Sequence, residues 1–167
     1  MRTAFFVDGY NLFYGLLAGT PYKWLNLKGL LAHVAHIENP QSSIISVDYF
    51  TSKLEEKETD VHIAISMYRT ATKQAALEVH DRIEQLALAS SDTDMTPALK
   101  AIREDFPDIT IGVILPHRAE LNCPSPGSLK EHSHWMRRVI SAEELQSHQF
   151  PERVPTRKTP AIKPDYW

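Results

Sequence analysis

The stretch Thr3-Ala4-Phe5-Phe6-Val7-Asp8-Gly9 decides the predicted fold. Residues 3 to 7 are β-branched, aromatic or small and carry no charge, and the run stops abruptly at Asp8-Gly9. An uninterrupted apolar run of this length that ends in a turn signal is typical of a strand buried on both faces. We therefore expect Asp8 at the carboxyl end of a buried strand.

Further strands follow, separated by helical periodicity. We predict strands over 44–50, 86–89 and 109–115. Between them, we predict a short helix around Leu12, Leu16 and Leu17, and a helix over 27–38 with Leu30, Leu31, Val34 and Ile37 on one face. A third helix is predicted from Thr59 or Asp60 to Glu84, because Val61, Ala64, Ile65 and Tyr68 recur at helical spacing, and a fourth from Pro97 through Leu99 and Ile102. The charged segment 53–58 is predicted as a loop.

The last third of the chain has weaker patterns. We predict a helix over 129–135, a short strand over 139–140, and a helix over 141–150 with Ser141 as its cap and Glu144 three residues later. Residues 151–167 contain four prolines, four basic residues and two acidic residues. The sequence thus predicts one domain over 1–150 and a Pro-rich basic C-terminal tail over 151–167.

Alternating strands and helices predict an α/β fold with a mostly parallel sheet of about five strands, arranged as a three-layer α/β/α Rossmann-like domain. In such sheets, ligands bind at the carboxyl ends of the strands. Asp8, Asp92 and Asp94 each follow a predicted strand, and Asp60 begins the helix after the second one. We therefore expect these four carboxylates at one edge of the sheet.

Composition limits the classes of protein to consider. The chain has 167 residues, a formal net charge of -3 and a single cysteine, Cys123. That length suffices for one core without disulfides, and one cysteine excludes an internal disulfide and a multi-cysteine metal site. The near-neutral charge means that any nucleic-acid surface is local. With no signal-like or membrane-spanning apolar run, a soluble cytoplasmic protein is expected.

Four carboxylates in one cleft repel one another unless a cation is bound between them. Oxygen ligands without paired His or Cys favour Mg²⁺ or Mn²⁺ over zinc, and such ions assist phosphodiester hydrolysis. Each acid also has an ordinary structural interpretation. Asp8 fits a turn, Asp60 and the pair Asp92 and Asp94 fit helix caps, and Asn11 fits a cap equally well.

Three motifs in order carry a family resemblance. Val7-Asp8-Gly9-Tyr10-Asn11-Leu12, Lys57-Glu58-Thr59-Asp60-Val61 and Ser90-Ser91-Asp92-Thr93-Asp94 resemble the D-G-x-N, K-x-x-D-V and S-G-D-S-D motifs of NYN-domain proteins, which are PIN-like nucleases. The terminal Lys163-Pro164-Asp165-Tyr166-Trp167 is also similar to the ending of many bacterial members. The resemblance thus covers nearly the whole chain.

This resemblance implies a PIN-like fold and a Mg²⁺- or Mn²⁺-dependent endoribonuclease. It implies that Asp8, Asp60, Asp92 and Asp94 are metal ligands or support them, that Asn11 orients a ligand or the attacking water, and that Ser90 assists. Ser91, Met95 and Ser66 depart from the family pattern, which usually has Gly, often Phe and in many members a further acid at those positions. The departures at Ser91 and Ser66 leave open that this chain is a family member with weak activity.

The expected partner is single-stranded RNA, and the sequence leaves a homo-oligomer open. Two alternatives remain: a non-catalytic RNA-binding or regulatory module on the same fold, and a D-x-D nucleotide-sugar transferase built on Asp92-Thr93-Asp94. Positive charge for RNA is available, and Tyr10, Tyr14, Tyr22 and Trp24 are candidates for stacking on bases. The basic candidates are Lys53, Lys57, Arg69, Lys73, Arg118, Arg137, Arg138 and the tail.

Overall fold

A five-stranded parallel sheet forms the centre of the computed structural model, which describes residues 1–51, 58–75, 77–78, 81–121 and 123–167. Its strands are β1 (Arg2–Asp8), β2 (Ser43–Phe50), β3 (Gln85–Ala89), β4 (Thr110–Ile114) and β5 (Trp135–Arg137). The helices are α1 (Gly9–Leu12), α2 (Leu27–Glu38), α3 (Thr59–Ala75), α4 (Thr96–Asp105), α5 (Gly127–Glu131) and α6 (Ala142–Ser147). A π-helical turn, Phe13–Leu17, continues α1.

The strand order β2-β1-β3-β4-β5 confirms the predicted α/β class and its parallel sheet. The chain leaves β1 toward β2 on one side and then returns to place β3 on the other side. The order therefore reverses between β1 and β3, and the connections there diverge to leave a crevice at the carboxyl ends of these strands. Asp8 ends β1, and Ser90 follows β3.

Both faces of the sheet are covered, which makes three layers. Ala4 and Phe6 of β1 pack with α3, α4 and α5, whereas Phe5 and Val7 pack with α1, its π-helical turn, α2 and α6. All four side chains are fully buried. Each fully buried Phe or Val stabilises the fold by about 1.5–3 kcal/mol, so the strand that positions Asp8 is firmly held.

The helix α3 begins where it was predicted, but most of the apolar stripe that indicated it faces away from the core, although Ala64 packs against the core. Val61, Ile65 and Tyr68 are 55%, 42% and 37% exposed, while Ile63 and Met67 are fully buried against the sheet. Both stripes of α3 are apolar, so periodicity alone could not choose between them. Ile37, which belongs to the predicted apolar face of α2, is 49% exposed.

The end of α3 differs from the prediction. The helix α3 ends at Ala75 instead of continuing to Glu84, and the buried Gln74 side chain accepts a hydrogen bond from the Ile83 backbone N–H (2.8 Å). The predicted loop over 53–58 lies outside the described residues except for Glu58, which occupies a single 3₁₀ position before α3.

The predicted helix over 129–135 is wrong at its end, because α5 stops at Glu131 and Trp135 begins β5. The cause is non-local. Gly112 of β4 leaves room for the Trp135 ring, which a Cβ at Gly112 would approach to 2.1 Å. The predicted strand over 139–140 is reduced to one bridge between Ile140 and Arg118. The capping box of Ser141 and Glu144 on α6 is present as predicted.

The segment 151–167 contains two short antiparallel strands, β6 (Arg153–Val154) and β7 (Ala161–Ile162). Trp24 donates a hydrogen bond from Nε1 to the Pro151 carbonyl (2.8 Å), and its ring lies 5.9 Å from that of Trp167. In the part of the chain that the structure describes, no helix is both long and apolar enough to cross a membrane.

Candidate active site

Asp8 ends β1 with its side chain only 2% exposed to solvent. It is also the N-cap of α1, and its Oδ1 accepts hydrogen bonds from the backbone N–H groups of Tyr10 and Asn11, both at 3.0 Å. A carboxylate at this position satisfies helix N–H groups that have no partner within the helix. Asp8 therefore has the turn role of its ordinary structural interpretation, and it caps α1 as well.

The second oxygen of Asp8 points toward the strand β3. Oδ2 accepts hydrogen bonds from the Asn11 side-chain amide and from the Ser90 hydroxyl, the latter at 3.1 Å. With two donors on each oxygen, the four lone-pair positions of the carboxylate are filled. Asp8 is thus a buried negative charge that the protein itself surrounds with donors.

Asn11 is held from two sides. Its Nδ2 donates to Asp8, and its Oδ1 accepts from the Ser91 hydroxyl at 2.6 Å and from the Ser91 backbone N–H at 3.4 Å. These partners fix the orientation of the amide, since oxygen must face Ser91 and nitrogen must face Asp8. Ser91, which departs from the resembled motif, therefore connects the β3 turn to Asn11.

Asp92 and Asp94 follow β3 in a 3₁₀ turn, Thr93–Met95. The Asp92 backbone N–H donates to Ser90 Oγ at 3.1 Å, and Asp92 Oδ1 accepts from the Asp94 backbone N–H at 2.9 Å. Asp92 therefore caps this helical turn, as its ordinary structural interpretation predicts. These local bonds orient both carboxylates at the end of β3 while leaving Asp94 exposed.

Asp60 is the second residue of α3, so it lies in the first turn rather than at the cap. Its pKa is raised above the ordinary value, first by partial burial and then by the negative charges of Asp92, Asp8 and Asp94. Repulsion from all three other acids means that the four carboxylates share one electrostatic environment.

The four acids line a single cavity of about 360 Å³. The lining residues are Asp8, Tyr10, Asn11, Thr59, Asp60, Asp92 and Asp94. Among the residues that the structure describes, the ion pairs within 4.0 Å involve other acids, and none contains one of these four. The sequence prediction that they meet at one edge of the sheet agrees with this arrangement.

The geometry differs from the expected ligand set in one respect. Among the described residues, no group of three or more His, Cys, Asp or Glu side chains is arranged to hold a metal ion by itself. The arrangement is therefore not a closed structural site. Mg²⁺ commonly keeps several waters and binds through one or two carboxylates, so binding of that kind does not require such a group. Asp60, Asp92 and Asp94 are the available ligands, since the oxygens of Asp8 are already engaged.

Gly9 and Tyr49 pack together next to Asp8, and sequence reasoning missed Tyr49. A Cβ at Gly9 would lie 2.6 Å from the Tyr49 ring and 2.8 Å from the Phe50 carbonyl oxygen, so only glycine permits the observed packing. The pKa of Tyr49 is raised by burial and by the charge of Asp8. Tyr49 lies in β2, where exposed and less exposed residues alternate, so its place in the sequence did not distinguish it from an ordinary surface residue.

Of the predicted basic residues, Arg69 and Lys73 line a depression of about 500 Å³ that also contains Tyr49 and Ser66. Arg137 instead pairs with Glu144 at 2.6 Å. Lys53 and Lys57 lie outside the described residues. The depression thus combines two basic side chains with Asp48, and its Tyr49 lies near Asp8.

The four predicted stacking residues separate into two groups. Tyr10 and Tyr14 are exposed beside the cavity, whereas Trp24 packs against Phe150 and Trp167 in the C-terminal segment, and Tyr22 packs against the core. Of these four, Tyr10 lines the cavity, and Tyr14 packs against Tyr10.

Comparison with known proteins gives a relative and a structural neighbour, both at low sequence identity. No family model matches the chain. The chain is 26% identical, over 245 aligned residues, to 6-hydroxy-3-succinoylpyridine 3-monooxygenase HspA of Pseudomonas putida, an alignment that covers all of this chain and 75% of that protein. A solved structure of a protein of unknown function from Vibrio parahaemolyticus is 11% identical, with a TM-score of 0.43, over 84% of this chain and 92% of that one.

Proposed function

We propose that this protein is a Mg²⁺- or Mn²⁺-dependent endoribonuclease of the NYN type, which hydrolyses phosphodiester bonds of single-stranded RNA at the acid cavity. The observation that supports the proposal is the placement of Asp8, Asp60, Asp92 and Asp94 around one cavity at the point where the strand order reverses. The raised pKa of Asp60 indicates that their charges are not fully compensated. A bound divalent cation removes that repulsion.

One or two of the carboxylates of Asp60, Asp92 and Asp94 would hold the cation through oxygen, and the remaining acid would contact its bound water. When bound, the ion supplies Lewis-acid polarisation of the phosphoryl group and lowers the pKa of a water molecule. Asp8 contributes a fixed negative charge behind these ligands and orients Asn11. The Asn11 amide nitrogen uses one hydrogen for Asp8, which leaves a second hydrogen for an oxygen of water or of the RNA.

RNA as the substrate is supported by the family resemblance and by the surroundings of the cavity. Arg69 and Lys73 provide positive charge in the neighbouring depression, where they would contact phosphates away from the acids. A non-catalytic RNA-binding module on the same fold would use the same surroundings. The presence or absence of metal-dependent cleavage separates these two functions.

A second candidate function is monooxygenation of a hydroxylated pyridine ring, because the Pseudomonas putida relative named for that activity is similar along the whole chain. Such a reaction consumes O₂ and two electrons from a donor such as a reduced nicotinamide. It is tested by following O₂ uptake and hydroxylated product with 6-hydroxypyridines and reduced nicotinamide. RNA cleavage without such turnover favours the nuclease.

The deciding experiment measures cleavage of a labelled single-stranded RNA by purified protein with Mg²⁺, with Mn²⁺ and with a chelator. We expect cleavage only with metal, and a loss of about 10²–10³-fold in Asp92→Asn and Asp94→Asn, the scale of removing one electrostatic stabiliser. Asp108→Asn is the matched control because Asp108 is exposed and precedes β4 at the opposite edge of the sheet.

Equal cleavage by Asp94→Asn and the unaltered protein would contradict the proposal, since it would identify a contaminating nuclease or another site. Metal-independent RNA binding without cleavage would support the non-catalytic alternative.

A further inference from the structure

Three aromatic rings are exposed on one side of α1 and its π-helical turn. Tyr10, Phe13 and Tyr14 are 51%, 39% and 57% exposed. The Tyr10 and Tyr14 rings lie 4.5 Å apart between centroids with planes tilted by 47°, and Phe13 meets Tyr14 edge to face at 5.2 Å. We call these three residues the aromatic patch.

The aromatic patch is not part of the core. The same helical segment buries Leu12, Leu16 and Leu17 against the sheet, so its inward face is already apolar. A surface helix is ordinarily polar on its outward face. Here the outward face is aromatic, and no charged residue occurs anywhere from Gly9 to Tyr22. Contiguous exposed apolar surface of this kind marks an interaction site.

The patch is continuous with the acid cavity. Tyr10 lines that cavity, and the backbone N–H of Tyr10 donates to Asp8 Oδ1. Gly15, which follows Tyr14, is packed so closely that a Cβ would lie 1.8 Å from the Pro116 carbonyl oxygen. The aromatic rings are thus presented by a segment that is anchored at both ends, at a fixed position relative to the carboxylates.

We propose that the aromatic patch binds unpaired nucleobases of single-stranded RNA by stacking, and so positions the strand whose phosphate enters the acid cavity. This inference rests on the proposed function for its choice of occupant. Aromatic rings stack on any base, while an uncharged surface beside an acidic cavity avoids repelling the phosphates that link those bases. Affinity from this contact tolerates base sequence and depends little on salt, unlike phosphate contacts.

Binding is measured by fluorescence anisotropy with a short single-stranded RNA and with an oligonucleotide of equal length and charge that carries abasic sites. Ca²⁺ replaces Mg²⁺, and gel analysis verifies that the RNA stays intact. We expect the abasic strand to bind more weakly. Tyr14→Ala should weaken binding of the normal strand by about 5- to 150-fold, the effect of one stacked base, and should leave abasic binding unchanged.

Substitutions at Tyr14 separate stacking from other effects, because this side chain is 57% exposed and lies outside both core clusters. Tyr14→Phe keeps the flat ring and should bind RNA like the unaltered protein, whereas Tyr14→Leu keeps apolar bulk and should bind as weakly as Tyr14→Ala. Tyr166→Ala is the matched control, since Tyr166 is an 80% exposed tyrosine in the C-terminal segment. Its affinity should not change.

The inference is overturned if the abasic and normal strands bind equally, if Tyr14→Ala binds RNA as the unaltered protein does, or if no single-stranded RNA binds. A dimer that dissociates on Tyr14→Ala, with RNA affinity unchanged, would assign the patch to a second copy of the chain. Stacking without any metal-dependent cleavage would retain this inference and reject the nuclease. Metal-dependent cleavage together with unchanged RNA affinity in Tyr14→Ala would reject this inference and retain the nuclease.

Discussion

Asp8 and Asp60 line the same cavity, but the protein treats their charges differently. Asp8 is buried and accepts four hydrogen bonds from Tyr10, Asn11 and Ser90. Asp60 is partly exposed, and its pKa is raised by burial and by the other three acids. One carboxylate is compensated by the fold, and the other is not. The fold therefore builds a fixed support at β1 and leaves a charge at α3 that an external cation can neutralise.

The largest expected effect on stability is at Asp8. Replacing it with alanine removes four hydrogen bonds and leaves the buried Ser90 hydroxyl and the Asn11 amide without their acceptor. We expect the free energy of unfolding to fall by about 2–4 kcal/mol, measured by urea denaturation. Asp108→Ala should change it by less than about 0.5 kcal/mol. An equally small effect of Asp8→Ala would mean that the protein does not compensate this charge.

A smaller effect is expected at Ser91, which acts on the site through Asn11. Removing its hydroxyl in Ser91→Ala frees the amide to turn, and loss of one such hydrogen bond corresponds to about 0.5–1.5 kcal/mol. We expect kcat for RNA cleavage to fall about 2- to 10-fold with little change in KM. Ser91→Thr keeps the hydroxyl and should restore activity. A change confined to KM would assign Ser91 to RNA binding.

The smallest expected effect is at Asp60, where substitution should stabilise the protein instead of weakening it. Because folding raises the pKa of Asp60 above its ordinary value of 3.8, its ionised form destabilises the metal-free protein at neutral pH. Asp60→Asn should raise the melting temperature at pH 7 by about 1–3 °C, a limit set by solvent screening. Below pH 3.8 Asp60 is protonated in both states, so this advantage should disappear. A lower melting temperature at pH 7 would contradict the uncompensated charge.

The fold and the edge that carries the acids could be predicted because their signals are local. The apolar run before Asp8 and the alternation of strands with helices determine a parallel sheet, and a parallel sheet brings the residues after its strands to one edge. The buried side of α3 could not be predicted, since Val61 and Ile63 begin equally apolar stripes. The strand β5 depends on the contact of Trp135 with Gly112, which sequence periodicity does not contain.

The sequence also could not predict which of the acids accept hydrogen bonds from the protein and which remain uncompensated. One of the hydrogen bonds that Asp8 accepts comes from Ser90, which is 82 residues away along the chain. In the structure, both oxygens of Asp8 accept hydrogen bonds, and Asp60 lies inside α3 rather than at its cap.

The central claim is that the acid cavity takes a divalent cation through the carboxylates that the fold leaves uncompensated. Its most direct test is a titration of the protein with Mn²⁺, followed by the electron paramagnetic resonance signal of the free ion. We expect the unaltered protein and Asp108→Asn to bind Mn²⁺ equally, and Asp60→Asn and Asp92→Asn to bind at least about tenfold more weakly, the loss of one charged ligand contact. Equal Mn²⁺ binding by all four proteins, or no binding by the unaltered protein, would contradict the account.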